Sequence, residues 1–180
     1  VADAISSVAA VEDATSGTVA QTLPKPVITL KSSGLKLIRW KNRHRDEKCI
    51  LVCNGPSLNQ VDFSRIDTKQ FTIFGLNKIY LGFESLGFRP RYIAVVNPKV
   101  IEQAAEAYRG LDSILFFGNG ADPSLVIPSP LKFVINTTNK PNESSRFSED
   151  ITKYIHEGWT VTHAALQIIY YMGFKEVNII

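Results

Sequence analysis

The sequence predicts an α/β protein built on a Rossmann-like parallel sheet with flanking helices. Short apolar runs, typical of strands that are buried on both faces, alternate with helical or polar segments along the chain. Five of these runs end on or next to an asparagine: Asn54, Asn77, Asn97, Asn119 and Asn136. In a parallel sheet all five would lie at the carboxyl edge, where open α/β sheets bind ligands.

An asparagine at a strand end has two explanations. Its uncharged amide offers two donors and an acceptor, which suits a nucleotide or a sugar. It is also common in turns, because it tolerates a left-handed backbone. The neighbours of Asn54, Asn77 and Asn97 form motifs of their own, which favours a ligand-binding role for these three.

Composition and charge define the broad class. The 180 residues are 44% hydrophobic and 21% charged, as in an ordinary globular domain. No apolar run reaches the roughly 20 residues of a membrane helix, and the N-terminus has no signal-peptide pattern. We therefore expect a cytoplasmic protein, either free or at the inner face of the membrane.

The net charge of +3 is concentrated near the start of the chain. Residues 31–48 carry seven basic side chains against two acidic ones, a local charge of +5, whereas residues 49–180 are neutral. The domain itself is therefore not expected to bind nucleic acid. The basic segment is either a solvated helix face or a peripheral contact with phosphate or an anionic membrane.

The first elements follow from local patterns. Residues 1–33, rich in Ala, Ser and Thr, predict a linker or mobile tail before a nucleotide-binding domain over 34–180. Leu35 to Arg45 predicts a short helix that packs Leu37 and Trp40 on the sheet. Cys49–Cys53 predicts a strand with two core thiols, because about 13 Å of extended chain between them excludes a disulfide.

The remaining elements alternate as a parallel sheet requires. After the turn at residues 54–57, the predicted strands are Phe71–Gly75, Tyr92–Val96, Ser113–Phe117, Leu131–Ile135 and Glu176–Ile180. The predicted helices run from Val100 to Arg109 behind Pro98, from Ser148 to Ile155, and from a cap at Thr160 or Thr162 to Gly173. The stretches 118–130 and 136–148 predict loops.

The last predicted strand ends with the chain. A buried strand at this place should continue into a loop on the ligand-binding edge. We therefore expect the domain to be truncated at its C-terminus, with part of the site beyond Ile180.

The most specific segment is the turn Asn54-Gly55-Pro56-Ser57. Gly55 lets the backbone approach a ligand closely, Pro56 fixes the turn, and the helix start near Ser57 supplies free amides for a phosphate. The segment is neither a Walker A loop nor a GxGxxG fingerprint.

Together with its strand, this segment resembles the Gly-Asn-Gly-Pro-Ser-Leu motif of one superfamily, with Cys53 in place of the first Gly. That superfamily contains archaeal 6-hydroxymethylpterin diphosphokinase-like proteins, motility-associated flagellin glycosyltransferases and a group of bacterial sialyltransferases. Further blocks match in order over about residues 35–180: Phe74–Tyr80, Val96–Pro98, Ser145–Ser148, Gly158–Thr162 and Met172–Val177.

The resemblance implies roles for the matching residues. Asn54, Gly55, Pro56 and Ser57 would hold the nucleotide phosphate, and Asn77 and Asn97 would contact phosphate, ribose or the transferred group. Thr160 and Thr162 stand where the sialyltransferases have a donor-contacting Thr-Ser-Gly, here with Val161 in place of Ser. The family's later Gly-x-Asp and catalytic His are absent from this chain, so the catalytic residues are unknown.

Several side chains outside the motif are weighed on their chemistry. Arg146 is a candidate anion clamp, since guanidinium binds phosphate or carboxylate in a bidentate way, although an ordinary surface arginine is the alternative. Trp159 and Phe147 could stack on a base or pack within loops. His44 is expected to be solvated or packed and His156 to lie at the surface, whereas His163 lies near the ligand edge.

The resemblance implies a nucleotide-sugar-dependent glycosyltransferase, sialyltransferase-like, that acts on a surface glycan or protein. Its nucleotide-sugar donor would be CMP-linked, and no cofactor would be tightly bound. One alternative is an ATP-dependent 6-hydroxymethylpterin diphosphokinase, which would need Mg²⁺ and carboxylates near the phosphates. The other is a non-catalytic nucleotide-binding module of a larger surface-polysaccharide protein. The oligomeric state is left open.

Overall fold

The sheet of the protein is fully parallel, as the alternating sequence pattern predicts. The computed structural model describes residues 33–125, 130–140 and 146–180. Six strands form one sheet in the order β5-β4-β3-β2-β1-β8, and a separate two-stranded sheet pairs β6 with β7. The strands are β1 (Lys48–Val52), β2 (Phe71–Leu76), β3 (Tyr92–Val95), β4 (Ile114–Gly118), β5 (Lys132–Ile135), β6 (Thr137–Thr138), β7 (Ile155–His156) and β8 (Glu176–Ile179).

Helices cover both faces of this sheet. The α-helices are α1 (Phe83–Leu86), α2 (Pro98–Gln103), α3 (Ala105–Arg109) and α4 (Val161–Met172). Short 3₁₀ helices span Gly34–Trp40, Pro56–Gln60, Phe63–Arg65, Ile79–Gly82 and Pro123–Leu125. The Rossmann-like α/β prediction is confirmed.

Two hydrophobic clusters lie on opposite faces of the sheet. One joins α4 and the first 3₁₀ helix to the strands, with the Trp40 ring edge-on to Tyr92, Phe116 and Phe133 at 5.6, 5.9 and 5.5 Å. The other joins the strands to α2 and α3 through Ile101 and Tyr108. Alternate residues of each strand fill the two clusters, which is why the strands are apolar throughout.

The chain reverses its direction across the sheet at β1. From β1 it moves outward through β2, β3 and β4 to β5, and it then returns through α4 to place β8 on the other side of β1. In open α/β sheets such a reversal opens a crevice at the carboxyl ends of the strands. The end of β1 and the start of α4 therefore flank the position where this fold binds ligands.

Helix α4 has the ends that the sequence predicts. The Thr160 side chain accepts a hydrogen bond from the Thr162 amide, and Gly173 closes the helix in a left-handed conformation at φ 85°. These caps satisfy amides and carbonyls that a helix end leaves open. The N-terminus of this 12-residue helix lies at the carboxyl edge of the sheet.

Two predicted helices differ from what is observed. The segment from Leu35 to Arg45 is a 3₁₀ helix only over Gly34–Trp40, followed by turns, although Leu37 and Trp40 are buried as expected. The helix predicted over 100–109 is divided into α2 and α3, because Ala104 leaves the helical conformation at φ −121°.

The helix predicted from Ser148 to Ile155 is wrong. The Asp150 side chain accepts hydrogen bonds from the amide and hydroxyl of Thr152, at 3.0 and 2.6 Å, and this local turn competes with a helix. The segment then pairs as β7 with β6.

His156 is buried and not at the surface, because it belongs to β7 and both its backbone N–H and its carbonyl bond to the side chain of a buried glutamine. Gln167 accepts from the His156 amide at 2.9 Å and donates to the His156 carbonyl at 2.6 Å.

The last strand is not the buried strand that was expected. Strand β8 lies at the edge of the sheet beyond β1, and the Ile179 side chain is 54% exposed. The two cysteines are free thiols, and burial raises the pKa of Cys49 to about 12, which makes it an inert core residue.

The predicted linker over 1–33 lies outside the described residues except for Ser33. The Ser33 amide donates to the Val134 carbonyl, and the Ser33 hydroxyl accepts from the Val134 amide, both at 2.7 Å. In the described part of the chain, no helix is long and apolar enough to cross a membrane.

Candidate functional site

The carboxyl edge of the sheet carries the turn that follows β1. Asn54, Gly55, Pro56 and Ser57 are all exposed, and the 3₁₀ helix begins at Pro56. The Asn54 side-chain amide donates to the Leu76 carbonyl at 2.9 Å, which ties the turn to the end of β2. The predicted phosphate-binding turn is therefore presented at the edge where the fold binds ligands.

Gly55 occupies an open position in this turn. Its backbone is extended, at φ −75° and ψ 158°, so its conformation is accessible to any residue. A Cβ at this place would meet only the Ser57 hydroxyl, at 3.5 Å. Neither strain nor packing in the described structure requires glycine here, and the backbone of Gly55 is open to approach.

Asn77, after β2, has an unused acceptor. Its backbone is left-handed at φ 47°, and its backbone N–H donates to the Ala94 carbonyl at 2.9 Å, which fixes the residue against β3. Its side-chain Oδ1 is buried and has no hydrogen-bond partner within the described residues. A buried acceptor without a donor costs free energy, and a bound ligand can supply the donor.

The start of α4 adjoins the end of β1. The Thr162 hydroxyl lies 3.8 Å from the Cys53 sulfur, next to Asn54 in the chain. The first amides of a helix have no partner inside the helix, and the helix dipole is positive at this end. The contact therefore brings the turn 54–57 together with Thr160 and Thr162.

Arg146 is also near this helix start. His163, in the first turn of α4, donates from Nε2 to the Arg146 carbonyl at 2.8 Å. The Arg146 residue is exposed. The predicted anion clamp is thus anchored beside the predicted donor-binding threonines.

The other three asparagines contribute hydrogen bonds to the fold. Asn97 caps α2 by accepting from the Lys99 amide at 2.9 Å. Asn119 accepts from the Thr137 amide at 3.0 Å, and Asn136 donates to the Lys153 carbonyl at 2.9 Å. All five asparagines follow strands of one parallel sheet, but the side chains of these three already serve the structure.

Within the described residues, no carboxylate directly follows any of the six strands of the main sheet. Asp67 and Asp112 precede β2 and β4 and therefore lie at the opposite, amino edge, while Asp62 caps the 3₁₀ helix at Phe63. Among residues 33–125, 130–140 and 146–180, no group of three or more His, Cys, Asp and Glu side chains could hold a metal ion. A cavity of about 300 Å³ next to Arg89, Arg91 and Asp112 also lies at the amino edge, away from this site.

A family model agrees with the motif and the fold. The model of the 6-hydroxymethylpterin diphosphokinase MptE-like proteins matches residues 27–180. The chain belongs to this family. The MptE-like match includes the turn 54–57, Asn77, Asn97 and the start of α4, so it confirms the superfamily resemblance inferred from those residues.

The MptE-like chain is also similar to a solved structure. The MAf glycosyltransferase from Magnetospirillum magneticum AMB-1 matches it with a TM-score of 0.53 and 16% sequence identity, over 81% of this chain and 26% of that chain. The chain thus spans about a quarter of that protein, and the match shows a shared fold. No curated protein matches the chain significantly.

One residue of the MptE-like chain gains importance from the structure. Trp159, directly before the Thr160 cap, is 67% exposed with its backbone at φ 63°. The sequence offered stacking or loop packing for this side chain, and no sequence pattern distinguishes the two. Its exposure beside the start of α4 is visible only in three dimensions.

Proposed function

We propose that this domain binds a nucleotide at the carboxyl edge of β1 and β2 and forms the donor site of a transferase. The observation that carries the proposal is the 3.8 Å contact between the Cys53 sulfur and the Thr162 hydroxyl. It joins an exposed turn, Asn54–Ser57, to a helix N-terminus at the point where the strand order reverses. Such a junction suits an anionic ligand.

The phosphate would lie between the turn and the helix. Amides near Ser57 would donate to its oxygens, the positive end of the α4 dipole would attract them, and the Thr160 and Thr162 hydroxyls would line the same place. Arg146, which is anchored to His163, would complete the charge balance with its guanidinium.

The sugar of the nucleotide would lie toward β2. The buried Oδ1 of Asn77 can accept a hydrogen bond from a ribose hydroxyl, which would satisfy the acceptor that the fold leaves without a partner. Asn97 follows the next strand, β3. It would contact the transferred group either by giving up its hydrogen bond to the Lys99 amide at the start of α2 or by using its side-chain amide for both contacts.

The reaction we propose is glycosyl transfer from a nucleotide sugar to a surface glycan or protein. The likeness to the MAf glycosyltransferase supports it. The proposal of a CMP-linked, sialyltransferase-like donor rests on the resemblance of Thr160–Thr162 to the donor-contacting Thr-Ser-Gly of the sialyltransferases. Amides and asparagine donors would stabilise the departing phosphate as negative charge develops on it. The base that deprotonates the acceptor hydroxyl is not assigned to any residue of this chain.

A diphosphokinase is the second candidate, and the description of the matching family favours it. Moving a diphosphate from ATP uses Mg²⁺ held by carboxylates or by the phosphates themselves. Asp67 and Asp112 lie at the wrong edge for this role. Within this chain the metal would be held chiefly by the phosphates, and the ATP site would still include Asn54 and Asn77.

Thermal unfolding with ligands tests the proposal. The protein is unfolded with CMP, CDP, UDP, ADP or ATP, each with and without Mg²⁺, and a ligand at 100 times its Kd should stabilise it by about 2.7 kcal/mol. Stabilisation by cytidine nucleotides without metal supports the glycosyltransferase, and a shift with ATP that needs Mg²⁺ supports the diphosphokinase. The absence of any shift would refute nucleotide binding.

Asn77→Gly locates the ligand. Glycine keeps the left-handed backbone and removes only the amide, so loss of one ligand hydrogen bond should weaken binding about tenfold. The stabilisation then falls from about 2.7 to about 1.4 kcal/mol at the same ligand concentration. Asn42→Gly is the matched control, because Asn42 is also left-handed, at φ 55°, but lies at the amino edge next to the end of α4. Equal losses in both variants would contradict the assigned site.

A further inference from the structure

Trp159 is held away from the core at the entrance to α4. Its side chain is 67% exposed, and no ring contact of the described residues includes it. An apolar residue directly before a helix cap usually packs on the fourth residue of the helix. Here that residue is Ala164, which is fully buried by other groups.

The backbone of Trp159 is also strained. The Thr160 amide donates to the Glu157 carbonyl at 3.0 Å, closing a turn whose two central residues, Gly158 and Trp159, have φ 55° and 63°. Turns with two positive φ values favour glycine, asparagine or aspartate, because a Cβ is disfavoured there. A bulky aromatic at the second position is an outlier whose cost no packing in the described structure offsets.

The turn places Trp159 directly before the helix start that the proposed phosphate would contact. Trp159 immediately precedes Thr160, whose hydroxyl caps α4, and Thr162 two residues later contacts Cys53. A ligand whose phosphate lies on the first turn of α4 therefore has its organic part within reach of this side chain. An exposed, strained aromatic at that place is the arrangement expected of a stacking platform.

We propose that Trp159 stacks on the base of the bound nucleotide. The inference rests on the proposed nucleotide site and adds to it the group that recognises the base. Indole stacking is tolerant of base identity, since every base offers a π face. Trp159 would thus supply affinity for a nucleoside, while hydrogen bonds elsewhere select the base.

The test compares three variants with three ligands. Kd values for CMP, ATP and ribose 5-phosphate, which lacks a base, are measured by calorimetry for wild type, Trp159→Ala, Trp159→Phe and Trp159→Asn. The nucleotide that binds wild type should lose about 5- to 150-fold affinity with Ala and Asn, and less than about threefold with Phe. Affinity for ribose 5-phosphate should not change.

Two further readouts separate stacking from a structural role. Trp159→Asn should raise the unfolding temperature of the ligand-free protein, because asparagine tolerates the left-handed turn, while it weakens nucleotide binding. The chain has two tryptophans, of which Trp40 is buried, so the nucleotide should quench emission in wild type and not in Trp159→Phe.

The outcomes are distinct. Unchanged nucleotide affinity in Trp159→Ala, or equal loss for the nucleotide and ribose 5-phosphate, overturns the stacking role while the nucleotide site stands. Lack of binding of any nucleotide to the wild-type protein overturns the proposed function and this inference with it.

Discussion

Gly118, the last residue of β4, offers a direct test of how tightly the carboxyl edge is built. A Cβ at this residue would lie 2.7 Å from the Val96 carbonyl oxygen and 3.0 Å from the Val96 Cα, both backbone atoms after β3. It would also lie 3.2 Å from the Thr137 methyl group. The backbone of a central strand cannot rotate away as a side chain can, so Gly118→Ala must separate the two strand ends.

The expected loss of stability follows from these contacts. Overpacking a dense region costs about 1–3 kcal/mol, and contacts with backbone place this case at the upper end. Alanine also restricts the unfolded chain more than glycine does, and this restores about 0.4–1 kcal/mol of stability. The net loss in free energy of unfolding should be about 2 kcal/mol, or about 4–8 °C in Tm for a domain of this size.

Gly120→Ala is the matched control. A Cβ at Gly120 would meet Pro98 at 3.6 Å, an ordinary van der Waals distance, so this variant should unfold within about 0.5 kcal/mol of wild type. Denaturant unfolding followed by circular dichroism measures both. Wild-type stability in Gly118→Ala, or equal losses in the two variants, would refute the assigned packing of β4 against β3.

Three further predictions concern the rest of the fold. Burial lowers the pKa of His44, so near and below about pH 6.5 the unfolded chain binds more protons than the folded protein does. Thermal scans should therefore show the free energy of unfolding falling as the pH drops from about 7.5 to 5.5, and falling less in His44→Phe. Thr160→Ala should lose about 1 kcal/mol of stability with the cap of α4, whereas Thr160→Ser should retain most of it, as denaturant midpoints will show. Gly173→Ala should lower the free energy of unfolding by at least about 2 kcal/mol, because it adds a contact of 2.9 Å with the Asn42 Cα to the strain at φ 85°. Gly87→Ala, at φ 72° with open space around it, should lose only the strain, about 1–2 kcal/mol, and a larger loss at Gly87 than at Gly173 would contradict this.

The parts of the fold that the sequence predicts correctly are those with strong local signals. Apolar strands bounded by turns indicate the parallel sheet, and the ends of α4 follow from Thr160 and Gly173, because caps depend on a few neighbouring residues. The turn at 54–57 was located by its glycine and proline. Its position at the edge then followed from the sheet being parallel.

The errors arise where distant contacts decide. Strands β6 and β7 have two residues each, too few to show any period, and Gln167 from α4 holds the segment around them by bonds to the backbone of Ser148 and His156. No sequence pattern indicates that a glutamine will be buried and will hold this segment as a strand where a helix was predicted. The exposure of β8 likewise depends on its place in the strand order, which periodicity does not encode.

The row of asparagines shows why a strand-end pattern predicts an edge and not a site. Asn119 and Asn136 use their amides on the segment that carries β6 and β7, so their presence there follows from the fold. Asn77 differs, because its backbone is held by Ala94 while its buried Oδ1 has no donor in the described structure. Most buried acceptors in folded proteins are satisfied, so an unsatisfied one calls for an explanation. The unsatisfied one lies beside the strand where the topology reverses, and that coincidence, more than the number of asparagines, argues that a ligand completes this edge.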